Sequence, residues 1–186
     1  MRKHIHLPRP VLTTPVGERD HIQGPTDAPI KLVEYGDFEC PFCGQAYPLV
    51  KAIQQELGNR LCFAFRHFPL TNAHPHAEHA AEAAEAAGAQ GNFWGMHDVL
   101  FENQTALGDH YLAQYAAALG FDADLVIAEV TAAKYSQRIR EDFSAGVRSG
   151  VNGTPTFFIN GVRYDGEQTL DVMLPVLVHS EVIAID

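Results

Sequence analysis

Two of the three cysteines in this 186-residue chain, Cys40 and Cys43, are separated by only two residues. They lie where one local pattern replaces another: residues 29–35 alternate and are rich in strand formers, whereas apolar residues recur at helical spacing from Ala46 to Leu57. A disulfide-stapled secreted domain would carry more cysteines, usually an even number. The close pair therefore indicates redox or metal chemistry.

The position of Cys40 just before a helix suits a nucleophile. Unpaired N–H groups and the helix dipole favour an anion there, so they lower the pKa of a thiol and increase the thiolate that attacks disulfides. Pro41 is favourable in the first helical turn. Cys43, one turn further on, is expected to be more buried and to resolve a mixed disulfide formed on Cys40. Two alternatives remain open: two cysteines close by chance, or half of a zinc site completed by histidines.

Strand patterns occur on both sides of the chain's middle. A nearly continuous apolar run at 61–68 predicts a strand buried on both faces, so residues 29–68 form about one β-α-β unit. Two short strands, 156–160 and 161–164, meet at Asn160-Gly161, and this dipeptide is a strong hairpin signal. A final helix is expected at 167–179.

The stretch between these patterns is helical and contains no fixed repeat. Helices are predicted at 74–90, 93–101, 111–119 and 124–149. We therefore expect an α/β chain in three parts: an extended N-terminal arm at 1–27 with an edge strand near 11–16, a domain formed by 28–72 and 150–183, and an inserted helical subdomain at 73–149.

A second motif, Gly153-Thr154-Pro155-Thr156, stands immediately before the hairpin. A strand that opens on Thr-Pro lacks one ladder donor. If the Thr154–Pro155 bond is cis, it turns backbone groups of Thr154 outward, where a peptide lying beside Cys40 could pair with them.

Several segments resemble those of DsbA-like proteins with the thioredoxin fold. Residues 34–43, Glu-Tyr-Gly-Asp-Phe-Glu-Cys-Pro-Phe-Cys, resemble the active-site segment of that family. Residues 152–161, Asn-Gly-Thr-Pro-Thr-Phe-Phe-Ile-Asn-Gly, resemble its cis-proline loop and hairpin. Residues 65–70 and the helical run through Trp94 and His97 are similar as well, and the resemblance covers about residues 20–180.

This resemblance implies a thioredoxin fold with a helical insertion between its β-α-β and β-β-α halves. It also implies dithiol–disulfide exchange with protein substrates, without a metal or an organic cofactor. Transferred by position, Cys40 is the attacking thiol, Cys43 the resolving thiol and Pro155 the cis-proline. Thr154, Pro41 and Phe42 then support the site.

Residues near the cysteine pair bear on its strength as an oxidant. Strong oxidants of the resembled group carry histidine where this chain has Phe42, and Asp37 and Glu39 would oppose a thiolate close to them. We therefore expect a redox potential below the ~−120 mV of DsbA and above or near the ~−270 mV of thioredoxin.

Composition limits the partners. Acidic residues outnumber Lys and Arg by 23 to 13, so we expect no nucleic-acid partner, and no apolar run approaches the ~18 residues of a membrane-spanning helix. We expect a monomer that exchanges disulfides with protein thiols and with an unidentified redox partner. The N-terminus has the charges of a signal peptide without its apolar stretch, which favours a cytoplasmic location, or a periplasmic one if a leader has been removed.

Other residues receive simpler interpretations. Cys62 is expected to be a buried, inert thiol, with a regulatory thiol as the alternative. His74, His76 and His79 are expected at a helix start and on the surface rather than on a metal. The aromatic helix at 93–101 is expected in the core, with a substrate groove as the alternative. Two other functions remain open: a glutathione-dependent transferase or isomerase on the same scaffold, and a non-enzymatic metal-binding module.

Overall fold

The computed structural model describes residues 10–183. Five strands and seven helices run along this part of the chain. The strands are β1 (His21–Gln23), β2 (Ile30–Gly36), β3 (Leu61–His67), β4 (Thr156–Ile159) and β5 (Val162–Tyr164). The helices are α1 (Pro41–Leu57), α2 (Ala77–Ala89), α3 (Phe93–Glu102), α4 (Asp109–Ala118), α5 (Ala123–Thr131), α6 (Ser136–Arg148) and α7 (Leu170–Ile183).

All five strands form one sheet in the order β1-β3-β2-β4-β5. β2 and β3 are parallel and joined through α1, as a parallel pair requires a crossover. β4 is antiparallel to β2 and pairs with β5 in a hairpin. Asn160 and Gly161 adopt φ values of 46° and 83° in that turn, as the predicted Asn-Gly hairpin requires.

Side chains of the central strands alternate between two cores, because successive residues of a strand point to opposite faces. Leu32 packs in the larger core with α1, α3 and α7, whereas its neighbour Val33 packs in a smaller core on the other face. Phe157 and Phe158 divide in the same way. All seven residues of β3 are buried, which agrees with the strand predicted to be covered on both faces.

In sequence, helices α2 to α6 come between β3 and β4. This helical region differs from the prediction at 124–149. That segment is two helices, because residues 132–135 form a turn in which Ala133 has a φ of 49°. The N–H of Tyr135 donates to the buried Glu82 carboxylate at 2.8 Å, so a tertiary contact supports the break. The helix predicted from His74 begins instead at Ala77, and Pro75 disfavours a helical conformation for the residue before it.

The predicted edge strand near 11–16 is wrong. Only Val11 makes an isolated bridge, to Val162, and the edge strand beside β3 is β1. The carbonyl groups of Thr14 and Pro15 accept hydrogen bonds from the Arg66 guanidinium, so a side chain takes the place of a strand partner there. Residues 1–9 of the predicted arm lie outside the described residues.

Candidate active site

Cys40 occupies the N-cap position of α1, in an extended conformation with φ −71° and ψ 121°. Pro41 follows in the first turn, where its missing N–H costs no helical hydrogen bond. No side chain caps this end of the helix, so its N–H groups face the region of the Cys40 sulfur. Cys40 is 3% exposed and Cys43 is fully buried.

The pKa of Cys40 is lowered to about 5. Hydrogen bonding from Cys43 is the main cause and outweighs burial, which acts in the opposite direction; the Thr154 side chain and the N–H groups of Phe42 and Cys43 add to the lowering. These donors stabilise the thiolate, the form that attacks a disulfide.

Cys43 has the opposite character. Burial raises the pKa of its thiol well above the usual value, and the hydrogen bond with Cys40 and the charge of Glu34 raise it further. Its Sγ accepts the backbone N–H of Asp37 at 3.5 Å. The pair therefore consists of a thiolate at the helix start and a protonated thiol inside the protein.

The Thr154–Pro155 loop meets this pair from the other half of the chain. The Thr154–Pro155 peptide bond is cis. The Cys40 Sγ lies 3.3 Å from the Thr154 carbonyl oxygen, to which it donates only when the thiol is protonated, and Thr156 Oγ1 closes the loop by donating to the Gly153 carbonyl at 2.7 Å. The two motifs, more than 110 residues apart in sequence, thus lie in contact.

Phe42, between the two cysteines, points outward and is 63% exposed. An exposed aromatic ring beside a nucleophile offers an apolar contact to an incoming polypeptide. Of the six predicted site residues, the structure brings Cys40, Cys43 and Thr154 into direct contact; Pro41 and Pro155 shape the backbone, and Phe42 faces solvent.

Glu34 is a site residue that the sequence analysis missed. It lies on β2, is 3% exposed, and its Oε1 has no hydrogen-bond partner among residues 10–183. Burial, followed by the nearby Cys40 charge, raises the pKa of this carboxyl to about 8. A signal was present: Glu34 is two residues after Leu32 and so shares its core-facing side of the strand.

Gln104, from the loop after α3, is a second missed residue. Its Nε2 donates to the carbonyl groups of Phe38 and Cys40, both at 2.8 Å. Gly44 permits this approach, since a Cβ there would lie 1.9 Å from Gln104 Oε1. The helical region thus holds the segment that carries Cys40. Such a contact depends on tertiary structure and leaves no local sequence pattern.

The remaining candidates are explained without a second site. Cys62 is fully buried in β3, and burial raises the pKa of its thiol. His76 and His79 pair with Glu39 and Asp109 on the surface. Most of the aromatic helix is core, as predicted. Within residues 10–183, no three side chains of His, Cys, Asp or Glu are grouped so as to hold a metal.

With this geometry in place, comparison with known proteins decides the family. A family model described as thioredoxin matches residues 17–177, most of the chain. This chain belongs to the thioredoxin family. The α/β thioredoxin fold that the resemblance implied is confirmed.

Two solved structures have the same fold. BdbD from Bacillus subtilis, in its oxidised form, superposes with a TM-score of 0.81 over 94% of this chain and 97% of that one, at 19% identity. The thiol-disulfide exchange protein alpha-DsbA2 from Wolbachia pipientis gives 0.71 over 85% of both chains, also at 19% identity. The predicted resemblance to DsbA-like proteins therefore holds at the level of the fold.

A curated relative is closer in sequence and much longer. The Na(+)/H(+) antiporter NhaA 1 of Salinispora arenicola is 46% identical over 156 residues, which are 84% of this chain and 24% of the relative. The chain thus spans about a quarter of the length of such relatives. In the described part of this chain, none of the helices has the length and apolar character needed to cross a membrane.

Proposed function

We propose that this protein is a thiol–disulfide oxidoreductase that exchanges disulfides with cysteines of other proteins through Cys40 and Cys43. The observation that carries the proposal is the pairing of a low-pKa thiol at a helix start with a buried, protonated thiol one turn away. The Thr154 carbonyl beside Cys40 supports a polypeptide substrate, because it could accept a backbone N–H of an extended chain.

In the direction that reduces a client, the Cys40 thiolate attacks one sulfur of the client disulfide. The Cys40–client bond forms as the client S–S bond breaks, and the released client thiolate takes a proton. Cys43 then loses its proton and attacks the Cys40 sulfur, which forms the Cys40–Cys43 disulfide and releases the second client thiol. The client gains two electrons and two protons: the pair supplies both electrons and the Cys43 proton, and solvent supplies the second proton. Another dithiol or thiol must then reduce the pair. The reverse sequence oxidises a client dithiol.

Glu34 is suited to the second attack. Cys43 is buried and must lose a proton to become a nucleophile. The charge of Glu34 raises the pKa of the Cys43 thiol, so the two groups interact. A carboxyl with a pKa of about 8 exchanges protons near neutral pH, where a typical glutamate would hold none. We assign Glu34 the role of proton acceptor for Cys43.

The setting of the reaction is part of the proposal. We infer protein thiols as clients, a separate redox partner, action as a monomer, no metal or organic cofactor, and an intermediate potential. A reduced resting state follows from the expected cytoplasmic location; fractionation with redox-state labelling of Cys40 tests both. In an oxidising compartment the same pair would run in reverse.

Trapping of the mixed disulfide tests the proposal. A Cys43→Ser variant should accumulate a covalent adduct with a disulfide-containing test protein such as insulin, released by excess thiol, because the resolving step is lost. Cys40→Ser should form none, and Cys62→Ser should behave as the parent protein. Turnover that survives Cys43→Ser and needs glutathione would favour the transferase alternative instead. Stoichiometric metal in the purified protein would favour the metal-binding alternative.

A further inference from the structure

Asp37 contacts both cysteines through its backbone and the loop that follows β3 through its side chain. That side chain is completely buried, and its Oδ1 accepts the N–H of Glu39 at 2.8 Å. Its Oδ2 accepts the N–H of Leu70 at 2.8 Å and lies 2.7 Å from Nδ1 of His74. Its backbone N–H donates to Cys43 Sγ, and its carbonyl accepts the N–H of Cys40 at 3.1 Å.

His74 completes this arrangement from outside. Its side chain is 18% exposed, and it lies in the turn before α2 rather than on the helix. Burial lowers the pKa of the imidazole, but the hydrogen bond to Asp37, the charge of Asp37 and the charges of Cys40 and Glu39 raise it above the usual value. The charges that act on His74 are those of Asp37, which contacts it, and of Cys40 and Glu39.

We propose that His74, anchored on Asp37, is a positioning residue that supplies a titratable positive charge to Cys40 and makes its reactivity depend on pH. The inference rests on the proposed function and assigns a regulator to the same site. Because the Cys40 thiolate favours protonated His74, protonated His74 must favour the thiolate by the same free energy. The positive charge that Phe42 does not provide therefore comes from a residue distant in sequence.

The charge of His74 also affects how the redox potential of the Cys40–Cys43 pair depends on pH. When a dithiol reduces the Cys40–Cys43 disulfide, two electrons break the S–S bond, Cys43 takes a proton and Cys40 remains a thiolate. The thiolate exists only in the reduced form, so His74 holds its proton more tightly there than in the oxidised form. Between the two His74 pKa values, reduction takes up an additional fraction of a proton, and the potential falls more steeply as pH rises.

His76 is a matched control. It is also paired with a carboxylate, Glu39, at 2.8 Å, but its side chain is 48% exposed and its partner is not Asp37. Solvent and salt screen such a surface pair. His76→Gln should therefore leave Cys40 unchanged, whereas His74→Gln should not.

The test is the alkylation rate of Cys40 against pH in the full chain, with the labelled residue identified by peptide mass spectrometry. We expect His74→Gln to raise the Cys40 pKa enough to lower the rate at about pH 5 roughly threefold, with His76→Gln at the parent rate. His74→Lys, which keeps a cation, should restore the rate. Equal rates in the parent, His74→Gln and His76→Gln would overturn the inference.

A measurement on the unaltered protein covers the case in which His74→Gln does not fold. The His74 pKa, followed by NMR, should be higher in the reduced form than in the oxidised form, and equal values would overturn the inference. The two proposals fail separately. If Cys40 is not the first thiol labelled, the proposed function fails; if it is labelled first but does not respond to His74, only the regulatory role fails.

Discussion

The start of α1 and the start of β3 each hold a buried cysteine, with Cys40 3% exposed and Cys62 fully buried. At the start of α1, donors from Cys43 and Thr154 lower the pKa of the Cys40 thiol to about 5. In β3, burial raises the pKa of Cys62, and the backbone groups around it are occupied by the ladders with β2 and β1. Burial is common to both sites, so reactivity depends on which groups point at the sulfur.

The largest expected difference between the two cysteines is in turnover. Cys40→Ser should lower the thiol-dependent reduction of insulin by about a thousandfold or more, because no other group can form the mixed disulfide. Cys62→Ser should retain a rate within about twofold of the parent once its folded fraction is matched. A large loss in Cys62→Ser with normal folding would show that the third thiol takes part.

The pH dependence of labelling gives the next largest difference. The alkylation rate of Cys40 should rise through about pH 5, where half of the thiol is ionised, and level off well above that pH once the thiolate is fully formed. Cys62 should stay unlabelled until the protein unfolds. The lowered Cys40 pKa also stabilises the reduced protein against unfolding. This stabilisation is complete above the pKa of an unfolded cysteine and is lost as pH falls toward 5. Labelling of Cys62 at a comparable rate in folded protein would contradict the contrast.

Glu34 is buried behind the cysteine pair, and its substitution tests the resolving step carried out by Cys43. Glu34→Gln should slow resolution of the mixed disulfide by about tenfold or more, because Cys43 loses its proton acceptor. Because the Glu34 pKa is raised in the folded protein, the free energy of unfolding falls as pH rises from the pKa of an unfolded glutamate toward about 8. Above that pH, Glu34→Gln should therefore unfold at a higher denaturant concentration than the parent. Stopped-flow single turnover measures the first effect, and Glu56→Gln, on the exposed face of α1, is the control. Unchanged resolution would remove Glu34 from the mechanism.

Local rules predicted the parts of the site that depend on neighbouring residues. The strand before Cys40, the helix after it, and the Asn160-Gly161 turn follow from periodicity and turn chemistry. The roles of Gln104 and His74 were missed because they arise from contacts between distant segments, whereas Glu34 was missed although its place in the strand pattern indicates a core-facing carboxyl. Asp37 and Glu39 were expected either to be surface acids without a role or, if close to the sulfur, to oppose the Cys40 thiolate; in the structure each is paired with a histidine.

Errors in the fold have the same origin. The helix at 124–149 is interrupted by a turn that the buried Glu82 carboxylate supports, and Arg66 takes the carbonyl groups that a strand near 11–16 would have used. In both cases, a polar side chain brought in by tertiary structure replaces a backbone partner, and single-segment patterns do not contain that information.

Phe42 gives the smallest expected effect. Phe42→His should place a further donor or cation near Cys40 and raise the redox potential by about 15 to 30 mV, a threefold to tenfold change in the exchange equilibrium. Phe42→Leu, which keeps an apolar side chain, should stay within a few mV of the parent. Equilibration against glutathione buffers measures both, and an unchanged potential in Phe42→His would show that residue 42 does not tune the sulfur.

The most direct test of the account is a redox titration of the parent protein in glutathione buffers, with the state of every cysteine determined by mass spectrometry. We predict one two-electron transition in which Cys40 and Cys43 form a disulfide with each other while Cys62 remains a thiol. Its midpoint should lie between about −270 and −120 mV. Cys40 and Cys43 that remain thiols across the series, or a disulfide that includes Cys62, would contradict the account.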